Sequence, residues 1–189
     1  KIWGPSTFGC MQISETQHRS WKCDGWLALH GSIDERLLRI LRQAGDELAS
    51  WATAGGPGLH HFEMADRGPA LARSERFADE HTTLGSFLRS GLATDILAQL
   101  FGEPAALFKE KVNYKQPGGA GFAPHHSKTN KSPRPRRVLY LTYNAASLGD
   151  FRDRYYADKD AEFAAGGSEF ESGSPRISIS DDFLDRPIS

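Results

Sequence analysis

The chain has 189 residues, 39% of them apolar and 25% charged, with a formal net charge of −1. That is enough chain for one domain with a buried core, and the charge balance gives no global attraction to nucleic acid or to a membrane surface. Two cysteines, Cys10 and Cys23, are too few for a disulfide framework and match no zinc spacing, so both are expected as free thiols in a reducing compartment. No apolar run approaches the ~20 residues of a membrane span, and the start, Lys1-Ile2-Trp3-Gly4-Pro5, carries no signal-peptide core. The expectation is a cytoplasmic protein with no membrane partner.

Residues 1–20 show no period and read as an irregular lead-in. Residues 24–31, DGWLALHG, form a short apolar run entered by a turn and left by a glycine, which predicts a strand. Ser32 and Glu35 have the spacing of a capping box. The helix that follows places Leu37, Leu38, Ile40, Leu41, Ala44, Leu48 and Trp51 on one face and stops at Gly55-Gly56-Pro57-Gly58. His60 and His61 come next; on an extended segment their side chains point to opposite faces, which argues against a shared metal. Residues 64–86 lack a pattern beyond short helical stretches around 70–77. A second amphipathic helix is predicted over 92–101, ended by Gly102-Glu103-Pro104.

The stretch 107–144, LFKEKVNYKQPGGAGFAPHHSKTNKSPRPRRVLYLTYN, organises the rest. From 107 to 115 it alternates, with Phe108, Val112 and Tyr114 on one parity and Lys109, Lys111, Asn113 and Lys115 on the other. That is the period of a half-buried strand, with Glu110 as a polar intruder on the apolar side. The lysine face has the chemistry of an anion site. A Gly-rich turn, the pair His125-His126, a cationic run and a second strand over 137–144 follow. Residues 147–163 read as a packed surface helix or ordered tail, and the Gly, Ser and Asp-rich 166–189 as a flexible tail. The domain reading is therefore 1–20, 21–165 and 166–189.

The blocks KVNYKQPGGAGFAPH and PHHSKTNKSPRPRRVLYLTYNAASLGDFRDRYYADK, in this order, resemble the phytanoyl-CoA dioxygenase family, and within it the branch that hydroxylates aminoalkylphosphonates. The likeness covers roughly residues 20–165. It implies an α+β fold, a double-stranded β-helix (jelly-roll, cupin-like) with flanking helices. It also implies an oxidoreductase, a dioxygenase that uses Fe(II) and the co-substrate 2-oxoglutarate on a small-molecule substrate. In such enzymes two His and one carboxylate hold the iron, and an arginine fork grips the distal carboxylate of 2-oxoglutarate. Carried onto this chain, the likeness makes His125 and His126 the metal candidates. It makes Ser127, Asn130 and Arg136 co-substrate candidates, and Lys111, Asn113 and Lys115 candidates for the substrate anion.

The departures are specific. The family's Ala-Pro-His-x-Asp becomes Ala123-Pro124-His125-His126-Ser127, with serine where the aspartate belongs. The several core strands expected between the two metal motifs are absent, as if an internal segment were lost and its ends joined at similar Ala-Pro-His sequences. Such a chain lacks a complete His-x-Asp…His triad. Its surviving strands expose edges, which predicts association into homo-oligomers. Two other readings compete: a non-catalytic family remnant that binds a partner, and an anion or nucleic-acid module built on Lys128, Lys131, Arg134, Arg136 and Arg137. The near-neutral charge and the lack of interleaved aromatics weigh against nucleic acid.

Overall fold

A computed structural model describes residues 11–65, 68–117, 130–165, 176–178 and 185–187. Helices α1 (Glu15–Asp24) and α2 (Glu35–Ala54) lead into a hairpin, β1 (Leu59–Ala65) and β2 (Gly68–Glu75). Helices α3 (Thr82–Arg89) and α4 (Leu92–Phe101) follow, then β3 (Ala105–Lys115), β4 (Arg136–Ala145), a short 3₁₀ turn (Ala146–Leu148) and α5 (Arg152–Ala165). Two three-residue strands, β5 (Arg176–Ser178) and β6 (Asp185–Pro187), complete the order.

All six strands belong to one sheet, ordered β4-β3-β2-β1-β5-β6, antiparallel except where β5 pairs with β1. Helices α2 and α3 pack on one face of it. Ala44, Leu48 and Ala52 of α2 and Leu84 and Leu88 of α3 close over Phe62, Leu71, Leu107, Val112 and Tyr114. Burying a side chain such as Leu48 or Leu88, each fully inaccessible, stabilises by about 1.5–3 kcal/mol. The helix α3 lies so close to the chain before it that a Cβ on Gly85 would sit 2.1 Å from the Ala78 carbonyl oxygen. The α+β class holds. A second sheet facing the first, which a jelly roll needs, is not among the described residues.

Helix α2 and its glycine stop match the sequence reading: Gly55 caps it in the left-handed conformation, φ 68°. Its start does not. The cap is Asp34, whose carboxylate accepts from the Leu37 amide at 2.7 Å, while Ser32 donates its hydroxyl to the Leu29 carbonyl. Helix α4 runs from Leu92 to Phe101 and is capped by Gly102, as predicted. Three other expectations are corrected. Part of the irregular lead-in is helix α1, which buries none of its residues and so shows no apolar period; a Ser14–Gln17 capping box fixes its start. Residues 24–31 form no strand, for no strand pairs with them and Trp26 is 66% exposed.

The third correction concerns 70–77, which lies mostly in strand β2 rather than in a helix. Strand β2 sits between β1 and β3 and buries Arg73, Ser74 and Glu75 as well as Leu71 and Ala72. With polar residues buried, the usual apolar alternation is hidden. In the C-terminal segment expected to be flexible, β5 and β6 are strands; the remainder of 166–189 lies outside the described residues. Helix α5 bears out the helix read at 147–163, and its Tyr156 is buried.

Candidate functional site

Register fixes which residues share a face, because directly opposed residues on paired strands point the same way. On the face away from the helix layer, His61 opposes Arg73, Arg73 opposes Asn113, and Asn113 opposes Val138. A second row joins Glu75, Lys111 and Tyr140, and a third pairs Lys115 with Arg136. Rows lie ~7 Å apart along the strands, so a small molecule with two anionic groups can touch two neighbouring rows. Val138 and Tyr140 are 49% and 44% exposed, which leaves the β4 side of this face open to solvent.

The alternation read from the sequence survives with one change. A bulge between Leu107 and Lys109 puts Phe108 out of step. Leu107 takes the core position expected of Phe108, and the Phe108 ring instead packs against Tyr155 of α5, centroids 5.0 Å apart. Beyond the bulge, Glu110, Val112 and Tyr114 face the helices and Lys109, Lys111, Asn113 and Lys115 face away.

The intruding Glu110 is not a solvated exception. It is 1% exposed, accepts from the Phe77 and Ala78 amides at 2.9 and 2.8 Å, and is paired through both oxygens with Arg152. Arg152 also bonds Asp79, which in turn meets Arg89. Burial alone would weaken the charge on Arg152, but Glu110 more than restores it and raises its pKa. This network is structural, for every charge in it has a partner.

Charges on the other face are tied together around one carboxylate. Glu75, 4% exposed, receives Lys159 Nζ at 2.6 Å, Arg73 at 3.2 Å and His61 Nε2 at 3.7 Å. Burial pushes its carboxyl up, yet Lys159, His61 and Arg73 together hold it below the usual range. Arg73 also donates from Nε to Asn113 Oδ1 at 3.1 Å. Lys111 lies 5.2 Å from the centre of the Tyr140 ring. Partial burial, then the charge of Arg73, lowers the Lys111 pKa. Burial and Arg136 lower that of Lys115. Taken together, the face offers more cations than carboxylates, with an amide between them, and suits an anion with several oxygens.

The structure brings Lys111, Asn113, Lys115 and Arg136 onto this face, although Arg136 begins β4 rather than preceding it. Asn130 has another task. Its Nδ2 donates to the Lys115 and Arg134 carbonyls, both at 2.8 Å, and its Oδ1 accepts from the Ser132 amide and hydroxyl. That uses the full hydrogen-bonding capacity of an asparagine amide, so Asn130 organises the turn into β4 and has no donor left for a co-substrate. His125, His126 and Ser127 lie outside the described residues. His60 and His61 do point to opposite faces: His60 bonds Ser74 Oγ at 2.9 Å and the Pro57 carbonyl at 3.1 Å on the helix side. The basic run is likewise split, since Arg137 reaches Asp46 and the Arg42 carbonyl on α2.

Sequence reasoning missed Arg73, Glu75 and His61. Their signal was present in a weak form, as alternate charged residues (Arg73, Glu75) nine and seven positions before the start of α3, but a strand with buried charges looks like a loop by hydropathy.

No family model matches the chain. It is similar to a methylphosphonate hydroxylase of Gimesia maris, 27% identical over 230 positions that take in 80% of this chain and 88% of that protein. It is also similar to a 2-aminoethylphosphonate dioxygenase from an uncultured bacterium, 26% identical over 233 positions, 80% of this chain and 89% of the relative. A dioxygenase of Epichloe uncinata is 26% identical over 117 residues, 60% of this chain and 45% of that protein. The likeness is thus to dioxygenases, at low identity. Eighty per cent of 189 residues is about 151, so about 79 of the 230 positions shared with the Gimesia protein fall where this chain has no residue.

Proposed function

We infer that this chain derives from an Fe(II)- and 2-oxoglutarate-dependent oxygenase of small phosphonate-type substrates, and that its open sheet face binds the anionic co-substrate or substrate. The observation that carries this reading is the set Lys111, Asn113, Lys115 and Arg136 on one sheet face whose β4 side is exposed, in a chain similar to two enzymes named for phosphonates. Lys111 and the Asn113 amide hold one anionic group. Lys115 and Arg136 hold a second in the neighbouring row, with Arg136 giving the planar fork that suits a carboxylate. A phosphate-bearing polymer fits less well, because Arg136 and Arg137 are sent to opposite faces.

Iron is the group this reading implies, and when bound it would activate oxygen for attack on a C–H bond. The described residues do not fit it. No cluster of three or more His, Cys, Asp or Glu among them could hold a metal, and His61, buried on the face away from the helices, is directed at a carboxylate that Lys159 and Arg73 already engage. Metal binding therefore falls to His125 and His126. The missing 79 positions favour a second reading, in which the chain binds the anion without turning it over. Copies of the chain associate through β4, an edge strand among the described residues.

Succinate release is the deciding experiment, with Fe(II), 2-oxoglutarate and either 2-aminoethylphosphonate or methylphosphonate. Release above that of His125→Ala supports turnover. Calorimetric binding of 2-oxoglutarate without succinate leaves the binding reading alone, and no binding of any of the three anions overturns both.

A further inference from the structure

Asparagine is ambiguous as a site residue, since its amide can offer either a donor or an acceptor. Here the choice is made by a neighbour. Arg73, 7% exposed, can only donate, and its Nε is 3.1 Å from Asn113 Oδ1. The oxygen end of the amide is thereby fixed toward β2, and Nδ2 is turned outward on the face that carries Lys111 and Lys115. Arg73 is itself held by Glu75, which bonds its NH1 at 3.2 Å and is anchored from α5 by Lys159. Glu75 also offsets the charge of Arg73 locally, so the guanidinium is used for aim more than for its field.

We propose that Arg73 is a positioning residue that, clamped by Glu75, commits the Asn113 amide to donate to the anion held beside Lys111. This inference rests on the anion-binding reading of the same face and adds to it which atom of Asn113 meets the ligand and what keeps it there. The site consequently selects acceptor-only groups, carboxylates and phosphonates, over ligands that present a hydrogen-bond donor at that position. Asn113→Asp removes the donor and places a second carboxylate beside Arg73, and so should abolish binding.

The test is calorimetric titration with 2-oxoglutarate and with methylphosphonate. The full-length chain is compared with Arg73→Lys, Arg73→Gln, Asn113→Ala and the Arg73→Gln/Asn113→Ala pair, with the melting temperature of each recorded. Arg73→Lys keeps the charge but loses the directed Nε, and is expected to weaken binding about tenfold. Arg73→Gln should do the same, and should cost nothing further once Asn113 is alanine. Wild-type-like affinity in Arg73→Lys, or additive losses in the double variant, overturns the positioning role and leaves the anion site standing. Failure of the unaltered chain to bind either anion overturns the site and this inference with it. If Arg73→Gln does not fold, Arg73→Lys alone decides, read against Asn113→Ala/Arg73→Lys.

Discussion

The two faces of this sheet treat charge in opposite ways. Toward the helices, Glu110 is matched by Arg152 and two backbone amides, with Asp79 and Arg89 closing the chain of partners. Away from them, Arg73 and Lys159 pair with Glu75, while Lys111, Lys115 and Arg136 share the same face and Glu63 lies near Lys115. Both sets hang from the same strand, β3, one residue apart. A buried charge with all its partners present fixes one packing arrangement, whereas an excess of one sign near solvent is costly to keep and invites a counter-charge. The first face therefore bears on stability and the second, on the proposed reading, on binding.

Breaking the helix side should show first and most strongly. Glu110→Ala leaves Arg152 buried without its main partner and orphans the Phe77 and Ala78 amides, so denaturant unfolding should register a loss of about 3–5 kcal/mol. Gly85→Ala should follow at about 1–3 kcal/mol, because its methyl would collide with the Ala78 carbonyl and force α3 off the sheet. On the opposite face the pattern should invert. Lys111→Ala is expected to shift stability by no more than about 0.5 kcal/mol while reducing affinity for 2-oxoglutarate at least about tenfold in calorimetry. A large fall in melting temperature for Lys111→Ala would erase the distinction between the faces.

Acid sharpens the comparison further. Burial holds the His60 imidazole below its ordinary pKa, against the opposing pull of the Pro57 carbonyl. The folded chain thus resists protonation that the unfolded chain accepts. The stability from neutral His60 is complete above pH ~6.5 and is lost as pH falls through its lower folded-state value. Urea midpoints measured from pH 7.5 to 5 should fall, and His60→Gln should flatten that section. Glu75, held below the ordinary carboxylate range, sheds its contribution only at still lower pH. The smallest effect is expected at the sheet edge: Tyr140→Lys should leave unfolding almost unchanged while moving any dimer toward monomer in sedimentation velocity.

How much of this was legible beforehand depended on whether burial and hydropathy agreed. They agree in α2 and α4, where apolar residues repeat at helical spacing and glycine marks the stop, and both elements were read to within a residue or two of their ends. They agree again across 107–115, where alternation identified the strand and the lysine face. They disagree in β2, whose Arg73, Ser74 and Glu75 are buried among partners supplied by β1, β3 and α5. No local pattern encodes partners that arrive from 40 or 80 residues away. Helix α1 was missed for the converse reason, since a Ser14–Gln17 cap rather than an apolar stripe defines it. Of the candidate site, Lys111, Asn113 and Lys115 share the face that alternation gave them, the register of β4 adds Arg136, and Asn130 is engaged in the turn before β4.

The bulge at Phe108 has an outcome larger than its single residue. By slipping one ring out of the ladder, the chain keeps Leu107 on the oily side and every lysine after it on the wet side, and the displaced ring becomes a hook on which Tyr155 hangs the last long helix. Lys159 rides on that helix and ends at Glu75. Removing the extra residue would leave the order of β3 intact yet unfasten the C-terminal strut that steadies Glu75 and the cationic face around it.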